Sequence, residues 1–129
     1  MTAEARAARR VLVVDDSRDA ADCLAMLLEL EGHAVATAYD GQEAVELAGI
    51  FTPDAVVLDI NLPKLSGHQV ARRIRDQLGV AVLLIALTGW DSNADSDRTT
   101  ATDFDHHLTK PVELDALVKL LALDVRPTP

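Results

Sequence analysis

A chain of 129 residues is the size of one domain and buries roughly two-thirds of its extended surface when folded, so one real core forms without staples. Hydrophobic residues make up 49%, which excludes a disordered chain, and the formal charge of −9 argues against non-specific nucleic-acid binding. An aromatic content of 3% leaves no stacking platform for single strands, and the acidity points instead to a site or partner that handles cations.

The elements alternate along the chain. Residues 11–14 form a short β-branched run, read as a buried strand. Asp16 or Ser17 caps a helix running to about Glu31, with Ala20, Leu24, Leu27 and Leu28 on one face and Gly32 as its left-handed stop. A weaker strand covers 34–38, and Asp40 caps a short helix over 41–48. Pro53 and Asp54 punctuate before a strand at 55–58. Ser66 caps a helix carrying Val70, Ile74 and Leu78 that ends at Gly79. The strongest strand spans 80–87, the last strand 105–109 and the last helix 113–123. Residues 93–102 lack any large apolar side chain, so a helix there gains little from docking and is expected to be short, frayed or mobile.

Five alternating strand–helix units with no repeat imply a parallel sheet covered on both faces, with right-handed crossovers. The expected division is a flexible extension at 1–9, one domain over 10–123, and a tail or linker at 124–129. Nothing before Val11 has signal-peptide form. The longest apolar run has eight residues, against about twenty for a membrane span. The lone Cys23 forms no internal disulfide and is expected to be a packed, inert thiol. The expected setting is cytoplasmic, without membrane association.

Sites in such sheets lie outside the carboxyl ends of the strands, and those positions carry polar groups here. The first strand ends in Asp15 and Asp16, the third in Asp59, the fourth in Thr88 and the fifth in Lys110. Taken singly, each reads as a cap, a turn residue or a solvated surface group. Together, three carboxylates converging on one sheet edge repel by about 4 kcal/mol per pair at 4 Å and an effective dielectric of 20. A hard cation offsets that cost, and oxygen ligands with open water positions suit Mg²⁺. A carboxylate nucleophile, a Mg²⁺ cage, a lysine and a hydroxyl make up a phosphoryl-transfer site.

Four segments in order, 11–16 (VLVVDD), 54–67 (DAVVLDINLPKLSG), 86–89 (ALTG) and 104–111 (FDHHLTKP), resemble response-regulator receiver domains of two-component signalling. The resemblance covers about residues 10–123. It implies a doubly wound, flavodoxin-like (βα)5 fold with sheet order 2-1-3-4-5. It further implies that Asp59 is the phospho-acceptor, that Asp16 binds Mg²⁺ directly and Asp15 mainly through water, and that Asn61 offers its backbone carbonyl. Thr88 and Lys110 contact the phosphoryl group, with Lys110-Pro111 usually cis. The implied role is a signalling switch rather than an enzyme, with self-catalysed phosphorylation and slow autodephosphorylation only. Its implied partners are a sensor histidine kinase or phosphotransfer protein and a downstream protein target, with a phosphorylation-dependent dimer as one output.

The family couples Thr or Ser to an aromatic on the fifth strand. Here that position is His107, which is expected to pack near Thr88 and to titrate on phosphorylation. His106 and His107 face opposite ways on a strand, so chelation by both is disfavoured. Trp90, two residues past Thr88, either shields the acyl phosphate or packs on the surface. Two other classes fit the sequence less well. A haloacid-dehalogenase-like aspartyl-phosphate hydrolase needs a second Asp as general acid, where Asn61 stands. A flavin-binding module needs a hydroxyl-rich phosphate loop, where Asp15, Asp16 and Asp19 repel phosphate.

Overall fold

The computed structural model describes residues 9–62, 65–89 and 104–123. In chain order these form β1 (Arg10–Val14), α1 (Arg18–Leu30), β2 (Ala34–Ala38), α2 (Gly41–Phe51), β3 (Ala55–Asp59), α3 (Gly67–Leu78), a 3-10 turn (Gly79–Ala81), β4 (Leu83–Thr88), β5 (His106–Thr109) and α4 (Leu114–Leu123). The sheet is parallel throughout and its order is β2-β1-β3-β4-β5, as the resemblance implies. The helix expected over 93–102, and Trp90, lie outside the described residues.

The apolar strands are buried on both faces because each face is roofed by helices. Leu12, Val14, Val56, Leu58, Leu84 and Ala86 point to one side, where Ala44 and Ala48 of α2 and Val70, Ala71 and Ile74 of α3 cover them. Val11, Val13, Val57, Leu83, Ile85 and Leu87 point to the other, beneath Ala21 and Leu28 of α1 and Leu117 and Leu121 of α4. Each such fully buried aliphatic side chain contributes about 1.5–3 kcal/mol relative to exposure.

The capping reading holds. The Ser17 side chain accepts from Ala20 N–H and that of Asp40 from Glu43 N–H. Ser66 and Gln69 form a reciprocal capping box. Gly32 takes φ +102° after α1.

Three local expectations are corrected. The run at 80–87 is not strand from its start. Gly79 adopts φ +79° and a 3-10 turn follows, so β4 begins at Leu83. Helix α2 continues past Ala48 to Phe51, because its stop is Thr52 in the left-handed region (φ 47°) rather than a glycine. On α1, Leu28 is buried and Leu24 packs against the same cluster as expected, but Ala20 and Cys23 are exposed and the other buried positions are Ala21 and Ala25. At about 100° per residue, position 23 lies about 200° round the helix from Ala21, so a helix buried at 21, 25 and 28 turns Cys23 to solvent.

Candidate functional site

The carboxyl ends of β1, β3, β4 and β5 bring the expected polar groups to one place. Asp15 leaves β1 and is fixed by its own N–H, which donates to Ala38 O at 3.1 Å. Its Oδ1 accepts from Ser17 N–H at 2.9 Å. The carboxylates of Asp15 and Asp59 are buried, at 5% and 4% exposure, whereas Asp16 stands exposed beside them. One oxygen from each of the three lies within 4.8 Å of the others. In octahedral Mg²⁺ coordination at about 2.1 Å, ligand oxygens sit about 3.0 Å apart when adjacent and about 4.2 Å when opposite. Three ligands of one ion include at most one opposite pair, so the carboxylates would draw closer together to share it; this all-oxygen donor set suits a hard cation.

Both oxygens of Asp59 are held. Oδ1 accepts from Asn61 N–H at 3.0 Å, and Oδ2 accepts from Lys110 Nζ at 2.8 Å. Lys110 also reaches Asp15 Oδ2 at 3.5 Å. The lysine is brought there from the end of β5, where its N–H donates to Thr88 O at 2.8 Å and its bond to Pro111 is cis. Thr88 is buried at the end of β4. Its neighbour Leu87 pairs in register with Asp59, so Thr88 emerges one residue beyond the acidic pocket. Asn61 is exposed just past β3.

Burial is the largest influence on Asp59 and pushes its pKa up. The hydrogen bonds from Lys110 and Asn61 and the lysine charge pull the other way, and Asp15 adds to the rise. The Lys110 pKa is also raised. Burial alone would lower it, but the hydrogen bond and charge of Asp59, with those of Asp15, outweigh that loss. A simple ion pair would lower its acid while raising its base. Here the acid rises too, because it is more deeply desolvated than the lysine and shares its pocket with a second buried carboxylate.

His107 pairs with Ala86, on the same face of the sheet as Thr88 and one step short of it. Its ring lies against Phe104 at 5.7 Å, and Phe104 in turn meets His68 of α3 at 6.0 Å. His107 Nε2 is buried without a hydrogen-bond partner among the described residues. Its pKa is lowered, first by burial and then by His68 and His106. His106, paired with Ile85, occupies the opposite face.

Two features of the site were not singled out in the sequence. One is a groove of about 520 Å³ beside Lys110 and Asp15, lined by Ala20, Cys23, Leu24 and Leu27 of α1 with Leu87 and Val112. A sequence reading that places Ala20, Leu24 and Leu27 on the apolar face of α1 does not reveal it. The other is the close seat of Gly67 against Ile60, for which a glycine after a helix cap gives no signal.

Comparison with known proteins agrees with this geometry. The sequence pattern described as the response regulator receiver domain matches residues 11–122. A response regulator from Mycolicibacterium vanbaalenii, MprA, is 38% identical over 121 residues, which are 93% of this chain and 52% of that protein. The chain thus spans about half the length of that relative. The receiver domain of Francisella response regulator 1452 superposes with a TM-score of 0.79 at 29% identity, covering 88% of this chain and 93% of that one. The receiver domain of the sensor histidine kinase PA1611 from Pseudomonas aeruginosa, which holds a magnesium ion in its active-site cleft, superposes with a TM-score of 0.78 at 29% identity, covering 89% and 95%. With the family pattern over residues 11–122 and an acid-lined pocket at the carboxyl edge of a 2-1-3-4-5 sheet, this chain belongs to the response regulator receiver domains of two-component systems.

Proposed function

We propose that this domain is a phospho-acceptor switch in which Asp59 takes a phosphoryl group from a partner histidine kinase or phosphotransfer protein. The observation that carries this reading is the setting of Asp59: a buried carboxylate, oriented by Asn61 N–H and Lys110 and faced by two further carboxylates. Asp15, Asp16, Asp59 and the backbone carbonyl of Asn61 would hold Mg²⁺. When bound, the ion neutralises the carboxylates and the charge on the transferring phosphoryl oxygens.

The chain's own groups do the rest. Asp59 attacks phosphorus through one oxygen. A new O–P bond forms as the bond from phosphorus to the donor breaks, and the leaving group departs with its electron pair. Lys110 is already within hydrogen-bond reach of the attacking oxygen, so it is placed to neutralise charge on the arriving group. Thr88, at the same sheet end, supplies a hydroxyl to a phosphoryl oxygen. The domain catalyses this acceptance and, slowly, hydrolysis of the aspartyl phosphate, in which water attacks phosphorus, the O–P bond to Asp59 breaks, and the carboxylate is restored as inorganic phosphate leaves.

The groove along α1 opens beside Lys110 and Asp15, so a donor presenting its phosphorylated side chain to Asp59 covers it; its apolar lining suits a helical partner surface. Phosphorylation then shifts the population between two states through contacts to Thr88 and Lys110, with His107 as the coupled ring on β5, and a downstream protein reads the result. The switch unit spans residues 10–123, with 124–129 as tail or linker, and works in the cytoplasm. Among the described residues no helix is long and apolar enough to cross a membrane.

The test is incubation with a small phosphodonor and Mg²⁺, followed by intact mass. Addition of one phosphoryl group to the wild type and none to Asp59→Asn is the expected result. An equal gain by both proteins, or no gain by the wild type, would overturn the reading.

A further inference from the structure

The N–H of Gly67, the first residue of α3, donates to Ile60 O at 2.9 Å, and Ile60 N–H donates across the sheet to Leu87 O at 3.1 Å. Ile60, the residue that follows Asp59, is therefore tied through its N–H to β4 and through its carbonyl to the start of α3. The approach is close enough to exclude a side chain. A Cβ on Gly67 would lie 2.5 Å from Ile60 Cα, 2.9 Å from Asp59 O and 3.0 Å from Ile60 O. Ordinary contact begins at 3.4 Å, so helix and strand end would have to separate by about 0.9 Å. All three atoms are backbone, so no rotamer change and no trimming of Ile60 relieves the clash.

Gly41 offers a contrast. A Cβ there meets the side-chain atoms Val70 Cγ2 at 2.6 Å and Leu65 Cβ at 2.8 Å and, less closely, Leu65 O at 3.3 Å, none of them an atom of Asp59 or Ile60. Both glycines bear on the seat of α3, but only Gly67 bears on the backbone that carries the acceptor carboxylate.

We infer that Gly67 is a positioning residue for phosphoryl transfer: its bare Cα lets α3 seat directly on the Asp59–Ile60 backbone and so fixes the acceptor carboxylate against Lys110 and the acidic pair. The inference rests on the reading of Asp59 as acceptor. Near-attack geometry tolerates little error, and a displacement of about 1 Å is worth on the order of 10²-fold in rate. The contact also gives α3 a direct mechanical link to the site, so displacement of Asp59 on phosphorylation moves the first turn of α3.

The experiment compares Gly67→Ala with Gly41→Ala as a packing control of similar steric severity. Thermal midpoints and Mg²⁺ affinity are measured alongside the rate of Asp59 phosphorylation over a range of small-phosphodonor concentrations. Both variants are expected to melt earlier than wild type. Gly67→Ala is expected to lose on the order of 10- to 100-fold in maximal rate with a weaker Mg²⁺ affinity, and Gly41→Ala to stay within about two-fold in both.

Rates for Gly67→Ala and Gly41→Ala that fall together, or that both match wild type, would overturn the inference. Absence of phosphorylation in the wild type would instead overturn the reading of the site. Should Gly67→Ala fail to fold, amide resonances of the wild-type protein decide. Addition of Mg²⁺ and beryllofluoride, a phosphoryl mimic, is expected to shift Ile60 and Gly67 while leaving Gly41 in place; an unmoved Gly67 resonance overturns the inference.

Discussion

Asp59→Asn should stabilise the metal-free fold even as it abolishes phosphorylation. At an effective dielectric of about 20, Lys110 at 2.8 Å attracts the Asp59 carboxylate by about 6 kcal/mol, a figure reduced by water because the lysine side chain is 36% exposed. Asp15, whose nearest oxygen lies within 4.8 Å, repels it by about 3.5 kcal/mol or more on the same scale, and Asp16 adds a smaller, solvent-screened share. Repulsion thus offsets a large part of an attraction that water already weakens. What remains is the lost hydration of a carboxylate that is 4% exposed, which is why its pKa is raised.

With the folded value above the ordinary 3.8, the native state holds more protons than the unfolded state between the two values. Wild-type stability therefore falls as pH rises from 3.8 through the raised value. Asparagine escapes that loss and keeps an acceptor oxygen for Asn61 N–H. The expected result at about pH 7 in chelator is a gain in stability, read as a higher thermal midpoint than wild type. It should shrink towards zero at about pH 4, and excess Mg²⁺ should narrow it by stabilising only the wild type. Urea and thermal melts at several pH values measure this. A variant less stable than wild type at neutral pH, or a difference that ignores pH, would refute the reasoning.

Lys110→Met removes the cation that competes for Asp59 and Asp15, so Mg²⁺ should bind several-fold more tightly while phosphorylation slows on the order of 10- to 100-fold; titration calorimetry and phosphodonor kinetics separate the two effects. His33 is buried, and its Nδ1 accepts from Arg9 N–H at 3.1 Å. Its pKa is lowered below 6.5, first by burial and then by Arg9, against a smaller upward pull from Glu31. Stability from this group is thus complete above 6.5 and is lost as pH falls through the lowered value, so His33→Leu should flatten the melting profile in that window. Ser66→Ala breaks the capping box of α3 and should cost about 1 kcal/mol in urea unfolding.

The features legible in the sequence were those that one residue type or one period decides. The β-branched and aliphatic runs at β1, β3 and β4 can only be buried strands in an alternating chain, and the polar residues ending them then fall at one sheet edge. Side-chain caps at Ser17, Asp40 and Ser66 were legible because each satisfies an N–H that the helix leaves open. The boundary of β4 was not, because an apolar run reads alike as strand or turn and Gly79 places a 3-10 turn before it. On α1 the pattern marks Leu24 and Leu28 correctly as core-facing but does not separate exposed Ala20 and Cys23 from buried Ala21 and Ala25, so the groove beside Lys110 was not legible. The role of Gly67 depends on a backbone-to-backbone approach across the fold, which no local pattern encodes.

The most direct measurement maps the phosphoryl group itself. After reaction with a small phosphodonor and Mg²⁺, borohydride reduces an aspartyl phosphate to homoserine, which peptide sequencing by mass spectrometry locates. Homoserine at position 59 alone is the predicted result. Homoserine at Asp15 or Asp16, or at no position in a protein that has gained a phosphoryl group, would contradict the account.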